Sequence, residues 1–177
     1  MMNQAAGLTI AYDEVDSPIG QLTLATTRQG LCSLLFGSWN DNKDYLMDRA
    51  KRWYGASEWV HNPEALAEAA KQLKQYFAGE RQEFELELDM QGTTFQLQVW
   101  QALRTVPYGQ TASYKDIAIA IHSPKAVRAV GGANNRNPIS IIVPCHRVIG
   151  ADGKLIGYGG GLDIKQNLLQ LESDFIY

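Results

Sequence analysis

The amino-acid sequence predicts an α+β protein, with an N-terminal α/β domain built on a small antiparallel sheet and a mostly helical C-terminal domain carrying a helix-turn-helix. Three observations support this. Residues 8–36 alternate apolar and polar side chains between turn residues, the period-two signature of strands. Residues 41–77 and 94–136 space their apolar side chains three and four apart, behind residues that cap helices. The halves also differ in charge: residues 1–91 hold 8 Lys/Arg against 14 Asp/Glu, and residues 92–177 hold 8 against 5. A net charge of −3 therefore conceals a basic C-terminal half suited to a polyanion.

In the N-terminal half, LTIAYDEV, QLTLATT and LCSLLF read as three strands of a meander, joined by turns at Ser17-Pro18-Ile19-Gly20 and Arg28-Gln29-Gly30. Cys32 falls inside the last alternation and reads as a packing residue. Residues 41–54 form an amphipathic helix with Tyr45, Leu46 and Trp53 apolar and Asp41 or Asn42 as the cap. After a break over residues 55–60, Asn62-Pro63-Glu64 starts a second helix through Phe77, with Leu66, Ala69, Ala70, Leu73 and Phe77 on one face and Gly79 closing it. FELELDM, from Phe84 to Met90, alternates as a further strand. Gln91-Gly92-Thr93 then separates a domain of residues 1–91 from one of residues 92–177.

In the C-terminal half, Thr94 is positioned to cap a helix bearing Phe95, Val99, Trp100 and Leu103, ended by Pro107-Tyr108-Gly109. Ser113 caps a helix running to His122, and Pro124 starts another reaching Arg136, the outline of a helix-turn-helix. In the second of these, Ala126, Ala129, Gly131, Gly132 and Ala133 are all small. They permit close approach to another helix or to another molecule, and the residues alone do not choose. The β-branched run Ile139 to Val143 reads as a buried strand stopped by Pro144, placing Cys145 at a strand end beside His146 and Arg147. Those neighbours suit an activated thiol, with Arg147 holding a loop or favouring the thiolate, and the triplet equally suits a small buried cysteine.

Cys32 and Cys145 are far apart and form no disulfide framework, which points to a reducing compartment. With no leader-like start and no bilayer-length apolar run, the expectation is a cytoplasmic protein without a membrane partner. In residues 1–91 only Cys32 and His61 are soft ligands, too few for a structural zinc site, so no metal is expected.

PCHRVIG at 144–150, GYGGG at 157–161, KQNLLQLE at 165–172 and RAVGGA at 128–133 together resemble the O6-alkylguanine-DNA alkyltransferases, and the resemblance runs from near Phe95 to Glu172. It implies a ribonuclease H-like N-terminal domain. It also implies stoichiometric, irreversible transfer of an alkyl group from guanine O6, and thymine O4, to Cys145 after minor-groove binding and nucleotide flipping. No cofactor is needed, because the damaged duplex is the alkyl donor, and the protein would act as a monomer.

The same resemblance assigns roles. Glu172, His146 and Cys145 form a hydrogen-bonded chain, with water between imidazole and sulfur. Tyr114 crowds the 3′ phosphate and donates toward guanine N3. Arg128 inserts into the duplex in place of the flipped base, and Lys115, Ser123, Gly132 and Ala133 accompany it at the DNA. Asn137 bridges the recognition helix to the Cys145 strand, the carbonyls of Cys145 and Val148 accept from the guanine amino group, Tyr158 and Gly159 belong to a flap over the base, and Lys165 holds the Cys145 loop.

Two positions depart from the pattern. His122 stands where relatives often have glycine, so the turn there is expected to differ. Gly159 stands where some have serine, removing a side-chain contact to O6. Three rivals conflict with the residues present. A lesion-flagging protein would lack the cysteine, a self-alkylating regulator would need a further DNA-binding domain, and a cysteine hydrolase would not need Arg128 or the small-residue helix.

Overall fold

A computed structural model of the chain describes residues 7–55, 57–158 and 160–176. Strands β1 (Leu8–Val15), β2 (Leu22–Thr27) and β3 (Gly30–Phe36) make the expected antiparallel meander. Helix α1 (Trp39–Tyr54) then returns the chain so that a fourth strand, β4 (Ser57–His61), lies parallel to β1 in the order β3-β2-β1-β4. The sheet is therefore mixed, and the expected break at 55–60 contains most of a strand. SEWVH is too short and too half-buried to show a clear period. Helix α1 also begins earlier than expected: Ser38 is its cap, and Asp41 is the reciprocal partner that accepts from the Ser38 backbone N–H.

A 3₁₀ turn (Pro63–Leu66), capped by Asn62, leads into α2 (Ala67–Phe77). Ala69, Leu73 and Tyr76 are buried while Phe77 is only half-buried. The inner stripe is thus turned by one residue from the expected one, which brings in Tyr76.

Two segments expected to be strands are not. Phe84 to Met90 is extended, with alternating exposure, but among the described residues its backbone joins the sheet only where Leu31 N–H donates to the Glu87 carbonyl (2.9 Å) and Asp89 N–H to the Leu31 carbonyl (2.8 Å). The approach is so close that a Cβ on Gly30 would lie 2.5 Å from the Glu87 oxygen. Farther along the same edge, Leu34 N–H donates to the Pro138 carbonyl (2.9 Å) and Ser140 N–H to the Leu34 carbonyl (3.0 Å). Each passing segment gains one bridge because the outer edge of β3 is shared between them, and the second bridge joins the two domains. Beyond Ile139 the chain turns instead of extending.

In the C-terminal domain, α3 (Thr94–Leu103) is capped by Thr93, not Thr94, with Gln96 completing a capping box. Ser113 and Asp116 make another at the start of α4 (Tyr114–Ala120). Such caps contribute about 1 kcal/mol each. Both helix-turn-helix members are shorter than expected, α5 spanning Val127–Asn135. Between them His122 adopts φ 60°, a left-handed conformation in which glycine would be less strained. A short parallel pair, β5 (Ala112–Ser113) with β6 (Val148–Ile149), ties the entry of α4 to the segment after Cys145. The chain closes with α6 (Leu162–Asp174). One buried cluster runs through both domains, from Leu24 and Tyr76 to Trp100, Val130 and Leu168.

Candidate active site

Cys145 is placed by a turn, and Asn137 holds that turn together. The Asn137 side chain donates to the Val143 carbonyl (2.7 Å) and accepts from the Ile139 N–H (3.0 Å). Val143 N–H returns to the Ile139 carbonyl (3.0 Å) and Cys145 N–H to the Val143 carbonyl (2.8 Å). Ile141 inside the turn has φ 71°, a left-handed conformation that a β-branched residue adopts at a cost of about 1–3 kcal/mol. The side chains of Ile139, Ile141 and Val143 are buried and offset that cost, so the apolar run serves burial and not strand pairing.

The thiol heads a 3₁₀ turn (Cys145–Arg147) and lines a cavity of about 290 Å³. Asn137, Ser140 and Tyr158 share that lining, and Phe36 and Tyr45 of the N-terminal domain supply the opposite wall. Burial pushes the Cys145 pKa up, against hydrogen bonding from Asn137 and Tyr158 and the charge of Lys165. The Tyr158 hydroxyl is 3.9 Å from the sulfur. The resting group is therefore a thiol that needs a base. Arg147 does not favour the thiolate directly, because it is spent elsewhere.

Arg147 is spent on Glu172, whose fully buried carboxylate collects donors from several elements. His146 Nε2 lies 2.7 Å from Oε1. Arg147 donates through Nη2 to Oε1 (2.8 Å) and through Nε to Oε2 (2.9 Å), while its Nη1 bonds the Val106 carbonyl (2.7 Å). Tyr76 donates to Oε1 (2.9 Å) and the Gly109 N–H to Oε2 (3.3 Å). Desolvation raises the Glu172 pKa, but the His146 and Arg147 hydrogen bonds and charges outweigh it and bring the pKa down to about 2. Burial lowers the His146 pKa against the pull of Glu172, so the imidazole rests neutral. With Nε2 donating to an anion, Nδ1 is left as the acceptor, and it has no hydrogen-bond partner among the described residues. An acid, an imidazole with a vacant basic nitrogen and the adjoining thiol make an arrangement for drawing a proton from sulfur.

Lys165 is also fully buried; burial lowers its pKa, and its ammonium donates to the carbonyls of Val148 and Ile156. It thus holds the Cys145 loop at Val148, while the Cys145 carbonyl accepts from Asn134 Nδ2 (3.4 Å) and from the Val148 N–H. The rings of Tyr114 and Tyr158 flank the ammonium at 5.8 and 5.7 Å. Tyr114 donates to the Ile156 carbonyl (3.0 Å), and burial raises its pKa, which keeps it a proton donor.

Two family models match the chain: 6-O-methylguanine DNA methyltransferase, ribonuclease-like domain, over residues 10–90, and 6-O-methylguanine DNA methyltransferase, DNA binding domain, over residues 94–174. Methylated-DNA–protein-cysteine methyltransferases from Methanosarcina barkeri and Mycolicibacterium paratuberculosis are 50% and 54% identical over 163 residues, 92% of this chain and 97% and 92% of theirs. The chain belongs to the 6-O-methylguanine DNA methyltransferase family. A crystal structure of Mycobacterium tuberculosis O6-methylguanine methyltransferase superposes with TM-score 0.81 at 48% identity over 95% of each chain. The Mycobacterium tuberculosis protein in complex with DNA gives 0.80 at 48% identity over 94% of each.

Within this methyltransferase architecture the helix-turn-helix presents Lys115 and Arg128 to solvent, with Ser123 half-buried between the helices. Gly132 is exposed, and a Cβ there would meet nothing within 4 Å. Ala133 is a correction to the expected DNA-facing set. It is buried in the core, and its carbonyl accepts from the Trp100 indole (2.9 Å), because one step along a helix turns the side chain onto another face. Gly159 lies outside the described residues. Sequence reasoning missed Tyr76, Gly109, Asn134 and Phe36. The only signal for Tyr76 was its place three residues after Leu73 on α2; Gly109 acts through its backbone, Phe36 across the two domains, and Asn134 through a side chain that reaches the Cys145 carbonyl. Cys32 is buried in the N-terminal domain, its pKa pushed up to about 12 by burial and then by the charge of Asp89, and it stands apart from the site. His61 ends β4 and pairs with Asp13 (2.9 Å).

Proposed function

We propose that Cys145 accepts the alkyl group, with His146 as its base and Glu172 as the anion that orients and polarises the imidazole. The protein is a direct-reversal alkyltransferase acting on DNA. His146 Nδ1 draws the thiol proton, through a water as the family pattern implies, and sulfur attacks the alkyl carbon of an O6-alkylguanine flipped out of the duplex. The S–C bond forms as the C–O bond breaks, and the bonding pair leaves with the guanine, which takes a proton from Tyr114 toward N3. Arg128 fills the vacated place in the stack. The product is a stable thioether, so each molecule acts once.

The observation that carries this reading is the buried Glu172–His146 pair beside a protonated thiol, with one imidazole nitrogen open. The same reading places the protein in a reducing cytoplasm, as a monomer, where Cys145 stays unoxidised. The test is intact mass and peptide mapping after incubation with excess O6-methylguanine duplex. One methyl group on the Cys145 peptide, with an equal amount of guanine restored and no turnover, is expected; binding without modification would overturn transfer.

A further inference from the structure

Tyr76 lies in the N-terminal domain, 96 residues before Glu172, yet its hydroxyl reaches the oxygen that faces His146. We propose that Tyr76 is a positioning residue for proton transfer, delivered by the N-terminal domain, and that it sets the orientation and basicity of His146 through Glu172. The proposal rests on the reading of Cys145 as acceptor and His146 as its base.

Packing alone does not call for a hydroxyl at this position. The Tyr76 ring is fully buried against Phe77, Phe84 and Tyr108, at 5.3, 5.5 and 6.2 Å between centroids, and phenylalanine would fill the same space. What the hydroxyl adds is a fourth donor on Oε1, beside His146 Nε2 and Arg147 Nη2 and Nε. Unlike Arg147 it carries no charge, and unlike His146 it stays neutral when the thiol proton is drawn, so it takes part of the carboxylate's hydrogen-bonding capacity without cancelling its charge. Glu172 therefore stays ionised while pulling less strongly on the imidazole.

A second contact works the same way. The turn after α2 holds the end of α6, the helix that carries Glu172. Gln82 donates to the Phe175 carbonyl (3.1 Å), and Gly79 leaves room for the Phe175 ring, where a Cβ would come within 2.3 Å. The N-terminal domain thus fixes both the carboxylate and the helix bearing it. Besides Glu172 and Tyr76, the groups acting on His146 are Arg147 of its own turn, Lys165 of α6 and the adjoining Cys145 thiol; Tyr108 packs against both Arg147 and Tyr76, and Tyr158 faces Cys145. Arg147 and Lys165 disfavour a second positive charge, so His146 depends on Glu172 to hold the proton it receives.

The experiment is single-turnover methyl transfer from a saturating O6-methylguanine duplex to full-length protein, followed across pH, for wild type and Tyr76→Phe. Duplex affinity is expected to stay unchanged while the transfer rate constant falls about tenfold, because a carboxylate that loses one hydrogen bond to its charge no longer fixes the orientation of the imidazole, and that loss outweighs the gain in basicity. The acid limb of the profile should move to higher pH, because a carboxylate with one donor fewer makes His146 more basic. Incorporating 3-fluorotyrosine at position 76, a stronger donor of nearly the same shape, should move that limb to lower pH, and it keeps the test decisive if the phenylalanine variant does not fold. Wild-type rates and pH profiles in the substituted proteins, or a loss confined to DNA affinity, would overturn the role of Tyr76 while leaving Cys145 as acceptor. A wild-type protein that never gains methyl on Cys145 would overturn the parent reading itself.

Discussion

Arg147 is nearly buried and gives its donors to Glu172 and the Val106 carbonyl, whereas Arg128 stands exposed on the first turn of α5. Both are arginines of the same domain, 19 positions apart in the sequence, and the fold uses them in opposite ways. Inside, a fixed charge keeps a carboxylate ionised and immobile, which gives the imidazole a defined partner. Outside, the same group keeps its hydration and flexibility and stays available to a polyanion. The difference is one of surroundings, and under the proposed function it separates the part of the molecule that would prepare the thiol from the part that would find the lesion.

The strongest way to break that contrast is Arg147→Ala. Removing one partner of a buried pair leaves Glu172 short of charge compensation, and a loss of about 3–5 kcal/mol in unfolding free energy is expected by urea titration. Arg147→Lys should recover only part of it, since an ammonium cannot span both carboxylate oxygens and the Val106 carbonyl as the guanidinium does.

Acid gives the next largest effect. Glu172 is held down to about 2 in the folded protein, below its ordinary 4.5, so its contribution is present above pH 4.5 and is lost as pH falls toward 2. That contribution is on the order of 3 kcal/mol. His146 acts in the same direction. Its folded pKa lies below 6.5, so the unfolded chain binds its proton first and stability begins to decline as pH drops below 6.5. Urea midpoints measured from pH 7 down to pH 3 should fall, and Glu172→Gln should flatten the part of the curve below pH 4.5.

Arg128→Ala sharpens the other side. Its effect on stability should stay within about 0.5 kcal/mol, as for an exposed residue without buried partners. Transfer from saturating duplex should nevertheless slow by roughly one to two orders of magnitude, the cost of unstacking a base with nothing to replace it. If Arg128 only binds phosphate, the variant instead weakens affinity and lowers the salt slope by about one.

Much of this was readable from local pattern. The meander, the helix caps around Asn62 and Ser113, and the neighbours of Cys145 all follow from side chains that act on their own or adjacent backbone. Harder to read were elements whose identity depends on a distant edge. Phe84 to Met90 and Ile139 to Val143 have the composition of strands, but both meet the one outer edge of β3, and neither gains a ladder there. β4 carries almost no period of its own and is a strand because β1 lies beside it.

The site divides along the same line. PCHR, Lys165 and Glu172 could be picked out of the chain because together they resemble the alkyltransferase pattern, and the sequence by itself therefore named the groups proposed to do the chemistry. Which donors surround Glu172 was settled only in three dimensions, where Tyr76 from α2, Gly109 from the loop after α3 and Arg147 beside His146 converge on one carboxylate. Spacing along a chain reports contacts within a helix or turn, and it carries no record of a hydrogen bond made across 96 residues. Only the tertiary fold, which brings Tyr76 of α2 to Glu172 of α6, makes that bond, and with it the surroundings of the carboxylate that His146 meets.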